Sequence, residues 1–332
     1  MMRKIKIAQI GTSINSHGGA IFNSLVKNND LFEIVGYVFP ENEREKFPER
    51  VKNFEPYKEL TLDEVLNNPE IEAVIVETEE IYLSKYALMA AEHKKHIHME
   101  KPGGLVLSDF EKLIDKVKEN KTIFHLGYMY RYNPYIIQLK EQIKNGQLGD
   151  ILSVEAQMSC LHPEKVRKWL ETFPGGMMFF LGCHLIDLIF SIQGAPEKII
   201  PLNKCSGVDG IKSEDFGMAV FEYKNGVSFA KTSAVEIGGF ARRQLVVSGT
   251  KKTVEIKPLE WFVGDPIIVT TKNTYDSPNW HKLPEEEKSE PADRYSDMMR
   301  AFGEMVLGKK ENLYSYDYEL ELYKTILKAC GI

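Results

Sequence analysis

The chain has 332 residues, of which 43% are hydrophobic and 27% charged, with a net charge of −6. That length exceeds one ordinary hydrophobic core and suits two domains. The acidic balance, with Lys and Arg scattered along the chain, argues against a nucleic-acid partner, because phosphate binding needs a concentrated basic surface.

Strand and helix signals alternate through the first half. Ile5–Ile10 is a short β-branched run ending at Gly11, and a helical stripe of Ile21, Phe22, Leu25 and Val26 follows. Phe32–Val38 reads as a second strand, and Thr61-Leu62-Asp63-Glu64 as a capping box that opens a short helix. Ala73–Val76 is a continuous apolar run, as expected of a strand buried on both faces. A helix over 81–93, a strand at His96–Met99, a second capping box at Ser108–Glu111 and a strand at 122–126 complete the series. This order predicts a doubly wound parallel sheet, an N-terminal Rossmann domain over 1–126.

After Asn133-Pro134 the texture changes. Helices are expected over 134–145, 175–193 and 313–330, and strands over 216–223, 227–237, 243–249, 252–257 and 266–271. Asn225-Gly226 and Gly249-Thr250-Lys251 read as turns, and 276–292 as a polar loop. Residues 127–332 are therefore expected to form an α+β domain with a largely antiparallel sheet, whose C-terminal helix can pack back on the first domain. The four cysteines include no C-x-x-C pair, so no metal site is expected and the thiols read as reduced. No apolar run reaches membrane-spanning length, and the N-terminus has no signal core. The expectation is a cytoplasmic protein with no membrane partner.

Ligands of open α/β sheets bind beyond the carboxyl ends of the strands. The first such end reads Gly11-Thr12-Ser13-Ile14-Asn15-Ser16-His17-Gly18. Serines stand where G-x-G-x-x-G has its later glycines, so the loop reads either as a phosphate-binding turn built on Gly11, Thr12, Ser13 and Ile14 or as an ordinary βα connection. The second strand ends in Phe39 where a ribose-binding acid is expected. Phe39 can pack on an adenine or simply in the core, while Glu41 is a substitute for the ribose and Arg44 for a 2′-phosphate.

The fourth strand runs into Glu100-Lys101-Pro102. Gly127–Pro134 reads as a domain junction, Gly175-Gly176 precedes the G-x-H-x-x-D of Gly182, His184 and Asp187, and Leu245–Thr250 supplies a late strand and turn. In this order and spacing, these segments resemble the Gfo/Idh/MocA oxidoreductases over nearly the whole chain. The resemblance implies NAD or NADP across the first domain, contacted also by Thr78, Glu79, Glu100 and Lys101, and a small polyhydroxylated substrate between the domains. It implies Lys101 and His184 as catalytic residues. A neutral His184 would take the hydroxyl proton and Lys101 would stabilise the developing alkoxide. Tyr130, Arg131, His162, Trp169 and Phe180 are the further candidates for substrate contact.

There are departures from the family pattern. Phe180 stands where an Asp one turn before the histidine is frequent, and Asp187 is either its substitute or a structural acid. Glu79 and Glu80 replace a usual Pro-Asn, and Leu83 a frequent His. Two functions from different classes follow. One is an oxidoreductase acting on a sugar or cyclitol hydroxyl, including a redox-neutral cycle on tightly held NAD. The other is a non-catalytic sugar or dinucleotide sensor. Val227, Phe229, Val235 and Ile237 on one strand face point to a homodimer or homotetramer built on the second domain's sheet.

Overall fold

The computed structural model describes residues 3–332. Two compact units divide the chain: residues up to Met129 with Tyr295–Leu320, and Tyr130–Arg294 with Glu321–Ile332.

In the first unit, β1 (Ile5–Ile10) leads to α1 (Gly18–Lys27) and β2 (Phe32–Val38). Two single-turn helices, α2 (Glu43–Lys46) and α3 (Pro48–Val51), precede α4 (Leu62–Asn67). Then come β3 (Ala73–Val76), α5 (Leu83–Glu92), β4 (His96–Met99), α6 (Leu107–Asn120) and β5 (Phe124–Leu126). The strands form one sheet in the order β2-β1-β3-β4-β5, and every pair is parallel. Strand order therefore reverses at β1, where β2 lies on one side and β3 on the other, and this is the place where such sheets bind nucleotides. The Thr61 box is complete: Glu64 N–H donates to Thr61 Oγ1 at 3.1 Å and Thr61 N–H to Glu64 Oε2 at 2.7 Å. The second expected box is absent. α6 starts two residues earlier than a Ser108 cap would place it, after an extended Val106, so Ser108 is already helical and cannot cap.

The second unit opens on α7 (Pro134–Lys144), capped by Asn133, and the long strand β6 (Ile151–Ser159). α8 (Glu164–Trp169) and α9 (Cys183–Gln193) precede β7 (Lys198–Pro201), β8 (Phe216–Tyr223), β9 (Gly226–Ser233), β10 (Gln244–Gly249) and β11 (Thr253–Ile256). β12 (Trp261–Gly264), β13 (Ile267–Val269), β14 (Thr271–Tyr275), β15 (Glu285–Lys288) and β16 (Ala292–Asp293) follow. Eight strands form one sheet, β15-β14-β11-β10-β6-β9-β8-β7, antiparallel except for the β6–β9 pair. β12, β13 and β16 form a small separate sheet. The chain closes with α10 (Ser296–Val306) and α11 (Tyr316–Cys330).

Several expectations need correction. The helix expected over 175–193 begins later: Gly175 and Gly176 both have positive φ, Met178–Gly182 is a π-helical turn, and α9 follows. The strand expected over 227–237 stops at Ser233, because its neighbours β6 and β8 end at that level. Val235 and Ile237 therefore do not extend its face, and Ile237 is 83% exposed. The run expected over 266–271 splits at Thr270, whose hydroxyl donates to the Leu259 carbonyl and so turns the chain from the small sheet into the large one. The 276–292 loop contains β15 and ends in β16. No expectation covered β6, β7 or α10. Among the described residues, no helix is long and apolar enough to cross a membrane.

Candidate functional site

The turn after β1 closes against the turn after β3. Gly11 has φ +88°, and a Cβ there would lie 2.7 Å from the Thr78 nitrogen, so only glycine fits this approach. Ser13 N–H donates to the Glu77 carbonyl at 2.9 Å, Ser16 Oγ donates to Ser13 O at 3.1 Å, and Gly18 N–H donates to Ser16 Oγ at 3.2 Å. The serines thus stitch the loop together where glycines would leave it bare. Thr12, Ser13 and Thr78 are buried, while Ile14 is exposed. Thr12 N–H donates to an acid that sequence reasoning passed over, Glu43 Oε2, at 2.7 Å.

Phe39 is half-buried and packs, with Tyr57, against the core cluster of Phe22, Tyr37 and Phe54, its ring 4.8 Å from that of Tyr37 and 5.1 Å from that of Phe54. Its contacts account for one of its two expected roles, packing on the core, and Arg44 lies 5.9 Å over its ring. Glu41 accepts from Lys85 at 2.6 Å and from the Tyr86 hydroxyl at 2.7 Å. Arg44 pairs with Glu59.

The carboxyl ends of β3 and β4 carry an unusual concentration of buried acid. Glu77, Glu80 and Glu100 are all buried around Lys101, itself buried, with Lys101 Nζ 3.5 Å from Glu100 Oε1. Burial pushes the Glu80 carboxyl up to about 8 against the pull of Lys101. Burial and the Glu100 carboxylate hold Glu77 well above the carboxylate range. Neither carboxyl of Glu77 or Glu80 has a hydrogen-bond partner. Glu77 Oε1 lies 3.9 Å from His98 Nε2, and His98 Nδ1 lies 2.7 Å from His125 Nδ1. Burial lowers His98 to about 3, so this imidazole stays neutral at physiological pH.

In the second unit, the π-helical turn and α9 present Phe180, His184 and Asp187, all buried. The Tyr130 ring meets the His184 ring edge-on, with centroids 5.6 Å apart. Asp187 Oδ1 accepts from Arg131 Nε at 2.9 Å and Nη2 at 2.7 Å. Of the two roles open to Asp187, the structural one matches these contacts, and the Arg131 guanidinium is engaged with it. Phe180 packs edge-on against Trp169 at 5.0 Å, and its ring centroid is 6.1 Å from that of His162. Burial, reinforced by Arg243, lowers His162 to about 4.

Sequence reasoning also missed the acid beneath this cluster. Glu260 is fully buried and accepts from Tyr130 Oη at 2.7 Å, Arg243 Nη1 at 2.5 Å, Arg294 Nε at 2.6 Å and Arg294 Nη2 at 2.8 Å. Burial alone would raise its carboxyl, but Arg294, Arg243 and Tyr130 outweigh burial and hold it below the usual range. No local motif marks Glu260. Its partners come from positions 130, 243 and 294, which only the fold assembles. Among the described residues, no group of His, Cys, Asp or Glu is placed to hold a metal ion.

A nicotinamide dinucleotide fits the first unit on two observations. Gly11 lets the turn after β1 close tightly on Thr78 at the switch point of the sheet, and the buried Glu43 Oε1 beside that turn has no hydrogen-bond partner. A parallel, doubly wound sheet with a glycine turn at its switch point defines a Rossmann domain. Residues 5–128 match the family described as "Oxidoreductase family, NAD-binding Rossmann fold", and residues 136–255 match "GFO/IDH/MocA C-terminal domain". The chain belongs to the Gfo/Idh/MocA oxidoreductase family. It is 24% identical over 242 residues to a scyllo-inositol 2-dehydrogenase (NADP(+)) of Bacillus subtilis, covering 71% of this chain and 64% of that protein. It is 29% identical over 196 residues to a glucose-6-phosphate 3-dehydrogenase of the same organism, covering 57% and 53%. The matched stretches thus span less than two thirds of these relatives. In fold it is similar to a crystal structure of a putative NADPH-dependent oxidoreductase from Desulfitobacterium hafniense, with a TM-score of 0.82, 20% identity and coverage of 100% and 96%.

Proposed function

We propose that this chain is an NAD(P)-dependent dehydrogenase for a secondary hydroxyl of a sugar, sugar derivative or cyclitol. The observation that carries this reading is the Glu100-Lys101 pair, buried at the carboxyl end of β4 in a sheet of the nucleotide-binding order. The sugar and inositol dehydrogenases among its relatives support the substrate class.

Bound at this sheet, the nicotinamide would accept or return the hydride. Gly11, Thr12, Ser13, Ile14, Thr78, Glu79 and Glu100 are the residues proposed to hold the dinucleotide. His184 takes the hydroxyl proton as general base, and the Tyr130 ring against it fixes the plane of the imidazole. Lys101 offers a positive charge to the alkoxide as the proton leaves. Tyr130, Arg131, His162, Trp169 and Phe180 shape the substrate side, with Trp169 and Phe180 giving apolar faces suited to sugar C–H groups.

The test is nicotinamide absorbance over a panel of sugars, sugar acids and cyclitols, with glycosides assayed separately for release of the aglycone. Aglycone release without net change in nicotinamide would identify the redox-neutral cycle. His184→Ala should reduce turnover by about two to four orders of magnitude and leave dinucleotide affinity unchanged. Equal turnover in both proteins would remove the catalytic assignment. A second reading, a sensor on the same fold, is favoured by Phe180 in place of a carboxylate beside His184. Sugar binding with no oxidation, reduction or cleavage of any panel member would select it.

We also propose a homodimer or homotetramer through the large sheet. Val227 is exposed there, and Phe229, Met218 and Val220 are half-buried. A monomer by light scattering at micromolar concentration would overturn this assembly.

A further inference from the structure

The end of β2 lacks the acid that usually holds the adenosine ribose, and the structure supplies another. Glu43, the first residue of α2, folds back to the turn after β1. Its Oε2 is anchored by the Thr12 N–H at 2.7 Å, one residue beyond Gly11. The residue is fully buried and Oε1 is unsatisfied. A buried carboxyl oxygen without a donor is costly, and it is relieved by a ligand that brings a hydroxyl.

The cations nearby are already engaged. Arg44 pairs with Glu59, Lys85 with Glu41, and Lys46 lies 3.4 Å from Glu79. A 2′-phosphate would therefore meet Glu43 and Glu79 with no uncommitted counter-charge among these three side chains. Glu41 and Arg44, the residues that sequence position favours for ribose and phosphate, each face a protein partner instead.

We propose that Glu43 is the acid that receives the adenosine ribose hydroxyls and that it makes the protein select NAD(H) over NADP(H). The inference rests on the dinucleotide reading above. Thr12 N–H fixes one carboxyl oxygen, and the other accepts from the ribose. The diol replaces protein atoms that cover Oε1 and satisfies an oxygen they leave bare. The proposal sets this chain apart from its scyllo-inositol dehydrogenase relative, whose name specifies NADP(+).

Calorimetric titration with NAD(+) and NADP(+) tests it on the wild type, Glu43→Ala and Glu43→Gln. The wild type should bind NAD(+) at least tenfold more tightly than NADP(+). Glu43→Ala should weaken NAD(+) binding by about tenfold to a hundredfold, the loss expected of a hydrogen bond to a charged group, and should tighten NADP(+) binding by removing an acid that faces the 2′-phosphate. If Glu43→Ala fails to fold by circular dichroism, Glu43→Gln carries the test, with a smaller loss and the same collapse of the NAD(+)/NADP(+) ratio. A wild-type preference for NADP(+), or NAD(+) binding as tight in the variants as in the wild type, would overturn the assignment. Tighter NAD(+) binding in the variants would show Glu43 to be a plug in the turn instead. A wild type that binds neither dinucleotide would remove the underlying cofactor reading as well, and that outcome is distinct from the others.

Discussion

Glu260 in the second unit and Glu80 in the first are both fully buried glutamates, yet their surroundings drive them to opposite charge states. Four donor atoms from Tyr130, Arg243 and Arg294 surround Glu260, and its carboxyl stays below the usual range. Glu80 lacks a side-chain partner for its carboxyl, shares its space with Glu100 and Glu79, and is raised to about 8 by burial, with Lys101 the largest opposing influence and its own backbone N–H a smaller one. Burial is the first cause in both cases, so the partners decide the outcome. A carboxylate saturated by its own chain is architecture. Unsatisfied ones gathered at strand ends, where the fold binds ligands, mark a candidate site.

The largest effect should come from breaking the saturated case. Glu260→Gln removes the counter-charge of two buried guanidiniums and should destabilise the fold by roughly 3–5 kcal/mol, the penalty for uncompensating a buried ion pair. Urea unfolding at pH 7 measures it. A loss below about 1 kcal/mol would mean that water reaches the arginines. Because the folded pKa of Glu260 is depressed, its stabilisation is present above the unfolded carboxylate range and lost as pH falls through the folded value.

Glu80 should behave in the reverse sense. Below about pH 4.5 it is protonated in both states and carries no penalty. Between there and about pH 8 the unfolded chain ionises while the folded one stays neutral, so stability declines as pH rises and then levels off. Glu80→Gln should therefore melt close to the wild type at pH 4 and above it at pH 8.5. A melting-temperature difference independent of pH would show that Glu80 is ionised in the fold. Glu77, Glu100, Glu79 and Lys101 face the same space, so the variant removes only part of the slope.

Glu43 offers a smaller, ligand-linked version of the same contrast. Burial, and then the Glu79 carboxylate, raise its carboxyl to about 8 against the Thr12 N–H, with Lys46 nearby. A ribose hydroxyl donating to it favours the ionised form. NAD(+) binding to the wild type should thus release a proton near neutral pH and tighten as pH rises towards 8, and Glu43→Gln should abolish that dependence. Titration in buffers of different ionisation enthalpy reads the proton directly.

The parallel sheet was legible because short strands rich in β-branched and apolar residues alternate with helical stripes: β1, β2, β3 and β4 fall where that alternation places them. The second unit was harder. β6 carries Ser153, Glu155 and Gln157 on its half-covered face, which dilutes the strand signal, yet it is central to the eight-stranded sheet. The motif residues Lys101 and His184 stood out because Glu-Lys-Pro and G-x-H-x-x-D are local patterns. Glu43, Glu77 and Glu260 did not, because a lone glutamate outside any motif gives no local sign of which partners the fold will bring to it. Glu43 reaches Thr12 across 31 positions, and Glu260 gathers its donors across 130. Phe39 lies between the two cases: it is half-buried, packed against an aromatic core cluster at the strand end where a ligand was expected.

The smallest effect belongs to a third environment that calibrates the other two. Glu64 is exposed at the start of α4, and the Thr61 N–H and hydroxyl, ahead of Lys58, lower its carboxyl. Here solvent replaces most of what a lost partner provided, so Thr61→Ala should cost about 1 kcal/mol, the usual value of an N-cap. Thr61→Ser keeps the oxygen that accepts from Glu64 N–H and should recover most of that loss. The comparison is direct, since Glu64, like Glu260, is satisfied by its own chain, and the two differ chiefly in access to water. If Thr61→Ala cost as much as Glu260→Gln, burial would not be what magnifies the loss of a partner, and the contrast between saturated and unsatisfied acids would need another cause. Urea unfolding of both variants under one set of conditions decides it.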